Sequence, residues 1–252
     1  MITDFHSHIL PSFDDGAADT DTAIKMLTLS KRMGVSRIVS TSHCYPCSSA
    51  DVDKFIENRE RSYDKLINEI EISGADVPEI RLGCEVHLTC DITRFRGIER
   101  LCVDGTDYML VEMPRSKWTD NTIDNVYKLS ISGIHPIIAH AERNIKQDGE
   151  LLNSLYMLDI LVQINAGSFG ISALKKFIDG MMKNKMIHLI GTDMHNLTSR
   201  SPVMNNAEKY IKKRFGTECW EYLMRNADII LGGDELSYRD LTSFSKKLFF
   251  RK

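Results

Sequence analysis

Short apolar runs alternate with longer stretches of helical periodicity along almost the whole chain. Seven runs read as strands: Ile2–His6, Arg37–Ser42, Ile80–Val86, Tyr108–Met113, Pro136–His140, Leu161–Asn165 and Ile187–Gly191, with Ile229–Leu231 as an eighth candidate. Such alternation is typical of βα units that build a parallel sheet covered by helices. No glycine-rich phosphate loop follows any of these strands. We therefore predict an α/β fold closed into a barrel of seven rather than eight units.

The intervals between the predicted strands carry helical patterns. These lie near Thr20–Met33, Asp51–Ile72, Thr122–Ile131, Leu151–Leu158, Ala173–Lys183 and Val203–Phe215. Gly34 and Gly133 follow two of them, where helices commonly end. The region from Cys90 to Gly105 has no clear pattern. The chain shows no repeat or linker, and α/β barrels of roughly 200–250 residues form one domain. We expect a single domain over residues 1–252.

Composition narrows the classes of partner. The net charge of −3 gives no basic footprint, so we expect no nucleic-acid partner. No apolar run approaches the roughly 20 residues of a membrane span, and the first residues do not resemble a signal peptide. We expect a cytoplasmic protein. Its six cysteines are then reduced thiols. Cys44 and Cys47 have the redox spacing C-x-x-C, which is a weak signal by itself.

Side chains that bind metals stand at the ends of six of the seven predicted strands. In a barrel, the C-terminal strand ends converge on one face, where active sites lie. A single histidine at a strand end is more often structural, but six such coincidences favour a shared site. The residues are His6 and His8, His43, Glu85, Glu112, His140, and Asp193 with His195.

The loop after the first strand offers a further carboxylate. Asp14-Asp15-Gly16 reads either as a ligand or as turn and capping chemistry ahead of Thr20, and the sequence leaves open which aspartate does which. Counting Asp15, five histidines and four carboxylates are enough for two or three ions. Imidazole and carboxylate without thiolate suit Mn²⁺, Fe or Zn²⁺ in an open catalytic site. Such a cluster activates water for hydrolysis.

Two arginines indicate the substrate. Arg143 lies three residues after His140, and Arg200 lies five residues after His195. The planar guanidinium group suits phosphate recognition, although a surface ion pair is the alternative for each arginine. These residues predict a metal-dependent phosphoester hydrolase. The remaining histidines are expected to be structural or solvent-exposed: His87, which is next to the site, and His135 and His188, which open strands at its far end.

The same residues fall into longer motifs. These are H-S-H-I-L-P at 6–11 with D-D-G at 14–16, T-S-H at 41–43, G-C-E at 83–85, V-E at 111–112, A-H-A-E-R at 139–143, and D-M-H-N at 193–196 with Arg200. Together they resemble the polymerase and histidinol phosphatase superfamily. Within it, the similarity is greatest to the CpsB/CapC-type bacterial tyrosine-protein phosphatases of capsule and exopolysaccharide biosynthesis. The resemblance extends from residue 1 to about residue 230. Ser12 stands where that family usually has glycine.

The resemblance implies a distorted (β/α)₇ barrel with three metal ions, often manganese. It implies that Arg143 and Arg200 bind the phosphoryl oxygens while a metal-activated hydroxide attacks phosphorus. The implied substrate is a phosphotyrosine protein, in particular the tail of a bacterial tyrosine kinase. The implied ligands are His6, His8, Glu85 and Asp193 for one ion, Glu85, Glu112 and His140 for a second, and Asp15, His43 and His195 for the third.

The sequence leaves three other interpretations to consider. The C-x₅-R spacing of thiol phosphatases occurs at Cys90 to Arg96 and at Cys219 to Arg225, but neither segment has the glycine needed for a tight phosphate loop. Histidinol phosphate or another small phosphomonoester is the alternative substrate on the same metal site. A non-catalytic, metal-stabilised scaffold is the third alternative. The sequence sets no expectation for the oligomeric state.

Overall fold

The computed structural model describes residues 1–158 and 160–236. Its strands are β1 (Ile2–Ser7), β2 (Val35–Ser40), β3 (His43–Cys44), β4 (Glu79–Leu82), β5 (Glu85–His87), β6 (Tyr108–Glu112), β7 (His135–Ile138), β8 (Leu161–Asn165) and β9 (Leu189–Gly191). The helices are α1 (Thr20–Arg32), α2 (Ser49–Ser73), α3 (Asp120–Ile131), α4 (Gly149–Tyr156), α5 (Lys175–Lys183), α6 (Met204–Phe215) and α7 (Thr217–Leu231). Residues 237–252, the end of the predicted domain, lie outside the described residues.

The strands form one curled parallel sheet. The strand orders are β1-β2-β4 and β3-β5-β6-β7-β8-β9. The pairing of β2 with β4 continues in a hydrogen bond from Gly83 N–H to Ser40 O (2.9 Å). The next bond, from Glu85 N–H of β5 to Thr41 O (3.1 Å), joins the two parts. Two predicted strands differ from the structure in their length. The predicted strand Arg37–Ser42 corresponds to β2, with the short strand β3 after it. The predicted strand Ile80–Val86 is divided into β4 and β5. The predicted parallel α/β architecture is confirmed.

The chain beyond β9 also contacts β1. Asp193 N–H donates to His6 O at 2.8 Å, and His8 N–H donates to Met194 O at 2.9 Å. The close approach requires Gly191, because a Cβ there would lie 2.3 Å from the Cβ of His6. This contact brings the first and last ligand-bearing segments of the chain together.

Helix boundaries follow ordinary capping chemistry. The Asp19 side chain accepts from Thr22 N–H at the start of α1, and Ser48 accepts from Asp51 N–H at the start of α2. Gly74 ends α2 with φ 62°, the left-handed conformation that glycine adopts without a Cβ penalty. The region from Cys90 to Gly105 contains two short 3₁₀ turns, Ile92–Arg94 and Ile98–Leu101.

The eighth strand candidate is wrong. Ile229–Leu231 is the last turn of α7, whose apolar side chains recur with helical spacing and are buried at Trp220, Leu223, Ala227 and Ile230. A three-residue apolar run is too short for its periodicity to separate strand from helix. Helix α7 packs against strand residues of a second apolar cluster that includes Phe5, Leu110, Ile137, Leu161 and Leu189. Over residues 1–158 and 160–236, the structure has no helix with the length and apolar character of a membrane span.

Candidate metal centre

All nine predicted ligands meet in one cluster at the C-terminal ends of the strands. His6 is on β1, His43 on β3, Glu85 on β5 and Glu112 on β6, and the others follow β1, β7 and β9 in loops. Seven of the nine are almost fully buried, whereas His43 is partly exposed and the side chain of Asp15 is 63% exposed. Residues up to 189 positions apart in the sequence therefore share one site.

Glu85 lies at the centre of this cluster. Its Oε2 atom is 3.2 Å from His6 Nε2, 3.4 Å from His8 Nε2 and 3.1 Å from His43 Nδ1. Its Oε1 atom is 2.6 Å from His140 Nε2. Burial opposes its charge, but His6 and the hydrogen bond from His140 outweigh that effect and hold the pKa of Glu85 well below its usual value. Glu85 is therefore an ionised carboxylate, in a position to bridge two cations.

The other ligand atoms group around Glu85. Asp193 Oδ1 lies 3.5 Å from both His6 Nε2 and His8 Nε2. Glu112 Oε1 is 3.7 Å from His140 Nε2. Three sets have ligand atoms within 4.8 Å of one another: His6, His8 and Asp193; His43, Glu85 and Glu112; and His8, Asp15, His43 and His195.

Asp14 and Asp15, in the loop after β1, make different contacts. The sequence left open which of them is a candidate ligand. Asp15 Oδ1 lies 3.3 Å from His43 Nε2 and 3.2 Å from His195 Nε2, within ligand distance of the same point. Asp14 instead accepts from His8 Nδ1–H at 2.8 Å and from the backbone of His43 at 2.9 Å. The geometry makes Asp15 the candidate ligand and Asp14 the group that orients His8.

The chemistry of these donors fits divalent cations. Buried His195 Nε2 has no hydrogen-bond partner among the described residues, although Asp15 Oδ1 lies 3.2 Å from it. His6 Nε2 and His8 Nε2 face each other at 3.1 Å. Unpaired buried nitrogens are costly, and nitrogens that converge on carboxylates are the arrangement that metal binding satisfies.

The pKa values of the neighbouring histidines His8 and His195 are shifted in opposite directions. Burial opposes charge on His8, but hydrogen bonds to Asp14, Asp193 and Glu85 raise the pKa of His8 well above its usual value. Burial, with help from the charges of His8 and Arg200, lowers the pKa of His195 to about 4. His195 is thus neutral at pH 7 and ready to act as a ligand, whereas a cation has to displace a proton from His8.

Two candidate ligands have unusual backbone conformations. His140 has φ 32° and Asp193 has φ 54°, the left-handed region that non-glycine residues seldom adopt. Strained ligand backbones of this kind persist where the surrounding structure holds them, and they are concentrated at functional sites. Ser12, where the family resemblance expected glycine, also has a positive φ of 54°. Its hydroxyl donates to Ala18 O at 2.7 Å, so serine preserves the loop that carries Asp15.

Both predicted arginines reach the cluster. A 3₁₀ turn after β7 places Arg143 beside Asp193, with Nη2 2.5 Å from Oδ2. Arg200 returns over the site because Asn196 Oδ1 accepts its backbone N–H at 3.1 Å, and its Nη2 atom lies 2.6 Å from Asp193 Oδ1. Their side chains are 39% and 34% exposed, so part of each guanidinium fork faces the solvent at the mouth of the site.

Strand β8 carries two site residues that the sequence did not reveal. Gln163 accepts from His6 and from the backbone of His140, and Asn165 donates to Asp193. Amides in a buried strand give a weak sequence signal. Their position on the one predicted strand without a ligand was the feature of the sequence that could have indicated them.

Glu142, after β7, is a third residue near the site that the sequence did not reveal. It is buried and accepts from the backbone N–H of Asn165 at 3.3 Å and from Ser168 at 2.6 Å.

The other histidines lie outside the cluster of ligand atoms. His87 Nδ1 is 3.1 Å from Glu112 Oε2 at the edge of the site. His135 is partly exposed and lies 3.3 Å from Glu235. His188 is buried, accepts from Val162 N–H at 2.9 Å, and burial lowers its pKa to about 4.

The thiols do not form a nucleophilic site. All six cysteines are free, and Cys44 is buried while Cys47 is exposed. Burial raises the pKa of both Cys90 and Cys219, the opposite of what thiolate chemistry needs. Cys219 lies within α7 and no phosphate loop follows it.

An open cleft leads to the cluster. Its volume is about 770 Å³, and its walls include Phe13, Asp15, His43, Tyr45, His87, Glu112 and Arg115. Tyr45 is 60% exposed, and its ring centroid lies 5.6 Å from that of His43. A neighbouring cleft of about 380 Å³ is lined by His140, Arg143 and Gln147.

Comparisons with known proteins identify a family and several relatives of this chain. Residues 2–232 match the family described as capsular polysaccharide synthesis, CpsB/CapC. The chain is 31% identical to tyrosine-protein phosphatase YwqE of Bacillus subtilis, over 90% of this chain and 91% of that protein. It is 28% identical to tyrosine-protein phosphatase CpsB of Streptococcus pneumoniae, over 85% and 91% of the two chains. A crystal structure from work on YwqE and CpsB, described as unique metal-dependent tyrosine phosphatases, superposes with a TM-score of 0.80 at 28% identity, covering 93% and 96%.

Proposed function

Because this chain belongs to the CpsB/CapC family, we propose that it is a metal-dependent protein-tyrosine phosphatase. The observation that carries the proposal is the convergence of five imidazoles, four carboxylates and two arginines at the end of a cleft. The relatives named as tyrosine-protein phosphatases align with this chain over 91% of their own length, which supports the same assignment.

The proposed ligands are those that the resemblance implies. His6, His8, Glu85 and Asp193 would hold one ion, Glu85 with Glu112 and His140 a second, and Asp15, His43 and His195 a third. When bound, divalent ions lower the pKa of water and neutralise charge on the phosphoryl group. Manganese is the proposed native metal, with iron and zinc as alternatives. A closed, distorted (β/α)₇ barrel is the proposed full architecture, supported by the hydrogen bonds between β1 and the chain after β9.

In this proposal the protein groups orient the substrate and stabilise charge. Arg143 and Arg200 bind the phosphoryl oxygens, because a guanidinium fork has five N–H donors and each of these uses only part of them on carboxylates. Phosphotyrosine suits this site because its phenolate leaving group has a pKa of about 10. Such a group departs with less help from a proton donor than the alkoxide of phosphoserine does.

The proposed substrate is phosphotyrosine in a flexible protein segment, such as the tail of a bacterial tyrosine kinase that regulates capsule synthesis. The volume of the cleft, about 770 Å³, and the exposed ring of Tyr45 in its wall suit an aromatic side chain on a peptide. A cytoplasmic location accompanies that substrate.

A matched substrate comparison tests the proposal. Protein loaded with Mn²⁺ is assayed on one peptide that carries phosphotyrosine or phosphoserine at the same position, and on histidinol phosphate. We expect the highest kcat/KM with phosphotyrosine and no activity after chelation. A preference for histidinol phosphate would support the small-molecule alternative on the same metal site. Metal binding without hydrolysis of any phosphoester would support the scaffold alternative.

Thiol alkylation of the Mn²⁺-loaded protein distinguishes a metal-dependent mechanism from a thiol-dependent one. Alkylation of the exposed Cys47 is expected to leave turnover intact, because the ligand cluster contains no thiol. Activity that survives chelation and disappears on alkylation would contradict the proposed mechanism.

A further inference from the structure

Strand β8 is the one predicted strand that brings no ligand to the cluster, yet its two amides are buried within the site. Gln163 is fully buried and Asn165 is 8% exposed. Gln163 Oε1 lies 3.1 Å from His6 Nδ1 and 2.7 Å from His140 N. Gln163 Nε2 lies 3.0 Å from Asn165 Oδ1, and Asn165 Nδ2 lies 2.9 Å from Asp193 Oδ2. One continuous chain of amides thus contacts three candidate ligands.

The direction of every bond in this chain follows from one backbone group. The N–H of His140 can only donate, so the atom of Gln163 that it meets is the carbonyl oxygen. His6 therefore donates to the same oxygen through Nδ1–H, which leaves its Nε2 lone pair for the cluster. The other end of the amide is then a donor, so Asn165 presents Oδ1 to Gln163 and its own N–H to the Asp193 carboxylate.

We propose that Gln163 and Asn165 are positioning residues that prepare three ligands for metal binding. Gln163 selects the tautomer of His6 and holds the backbone of His140 in its left-handed conformation, and Asn165 fixes the Asp193 carboxylate, whose backbone also has positive φ. Outer groups that orient ligands in this way typically change metal affinity by 10- to 100-fold. The inference rests on the proposed metal site and extends it to a strand that holds no metal itself.

The test compares Gln163→Met, which removes both ends of the amide at similar length, with Asn165→Leu. The second variant removes the donor to Asp193 and the acceptor for Gln163 Nε2, but it keeps the contacts of Gln163 Oε1 with His6 and His140. Asn226→Leu is the matched control, because Asn226 is a buried amide that donates to His188 O at 3.0 Å outside the cluster. Affinity for Mn²⁺ and Zn²⁺ is measured by titration against a competing chelator, and ion content by elemental analysis. Thermal unfolding in chelator reports the stability of the metal-free fold.

We expect Gln163→Met to weaken binding of the tightest ion by 10- to 100-fold, and Asn165→Leu to weaken it less. Asn226→Leu should lower the metal-free melting temperature and leave the affinity unchanged. Gln163→Glu keeps the acceptor for His6 and His140, so it should recover affinity relative to Gln163→Met. Wild-type affinity in both Gln163→Met and Asn165→Leu would overturn the inference, and should Gln163→Met not fold, Asn165→Leu decides alone.

Metal binding by the wild-type chain and by the amide variants distinguishes failure of the proposed function from failure of the inference about the amides. If the wild-type chain binds no divalent ion, the proposed function is wrong. If the wild-type chain binds ions and the amide variants bind them equally well, only the role of the amides is wrong. Histidine-selective ¹⁵N labelling of the Zn²⁺-loaded protein adds an independent readout, since the inference requires a proton on Nδ1 of His6.

Discussion

His188 shows how burial alone makes one side chain sensitive to pH. It is enclosed, accepts from Val162 N–H, and has its pKa lowered by burial from 6.5 to about 4. Between these values the unfolded chain binds more protons at this position than the folded chain does. The contribution of His188 to stability is therefore complete above pH 6.5 and is lost as the pH falls towards 4. At about 1.4 kcal/mol per pKa unit, the loss is roughly 3–4 kcal/mol.

Replacement of His188 by glutamine, which keeps an acceptor for Val162 N–H, is expected to reduce this pH dependence. Urea unfolding of both proteins in chelator at pH 7.5 and pH 5.0 gives the comparison. Other groups titrate alike in the two proteins, so the difference between them isolates His188. Equal loss of stability in both proteins on acidification would contradict the assignment of this histidine as a neutral, buried residue.

Arg200 is expected to act on the substrate rather than on the metals. Arg200→Ala should lower kcat/KM for a phosphotyrosine peptide by an amount corresponding to roughly 2–4 kcal/mol, the usual loss for a donor to transition-state charge. Ion content should stay intact, because Asp193 keeps its contacts with Arg143 and Asn165. Arg225→Ala, at an exposed position of α7, is the control for loss of an arginine. Unchanged kcat/KM in Arg200→Ala would show that Arg200 is only a surface residue.

At the scale of elements, the contact between β9 and β1 brings the first and last ligand-bearing segments together. Adding a methyl group at Gly191 would place it 2.3 Å from His6 Cβ and 2.8 Å from His6 N, and a backbone atom cannot rotate away. We expect Gly191→Ala to destabilise the fold by at least the roughly 1–3 kcal/mol of ordinary overpacking. It should also lower ion content, because β9 leads directly to Asp193.

Gly170→Ala provides the matched control for that variant. Gly170 ends a 3₁₀ turn after β8, and a Cβ there meets nothing within 4 Å. Chemical unfolding and elemental analysis of the two alanine variants separate close packing from a general effect of removing glycine. Wild-type stability and ion content in Gly191→Ala would show that β9 can shift without disturbing His6.

For the whole molecule, metal binding and folding are expected to be linked. The ligands come from segments between residue 6 and residue 195, so an ion bound by them stabilises only the folded chain. At a free metal concentration 100 times Kd, one site adds about 2.7 kcal/mol to the free energy of unfolding. The melting temperature should therefore rise with Mn²⁺ concentration and fall in chelator. A melting temperature independent of both would contradict the assignment of this cluster as a metal site.

The sequence by itself determined the parallel α/β class and the identity of the candidate ligands. Strand and helix periodicities differ strongly, and parallel strands bring their C-terminal ends to one edge, so strand ends could be compared without coordinates. This reasoning placed His6, Glu85, His140 and Asp193 at one mouth. It failed at Ile229–Leu231, because three apolar residues carry too little periodicity to reveal that they end a long helix.

Only the tertiary structure decided how the ligands are held. Asp14 and Asp15 are adjacent and chemically identical, and their different contacts follow from the fold of the loop against His8 and His43. The part played by Gln163 depends on the backbone of His140 and the ring of His6, which are 23 and 157 residues away. A side-chain amide looks the same in any buried strand of a sequence. Its hydrogen-bond partners, which distinguish it, exist only once the fold brings β1 and β7 close to β8.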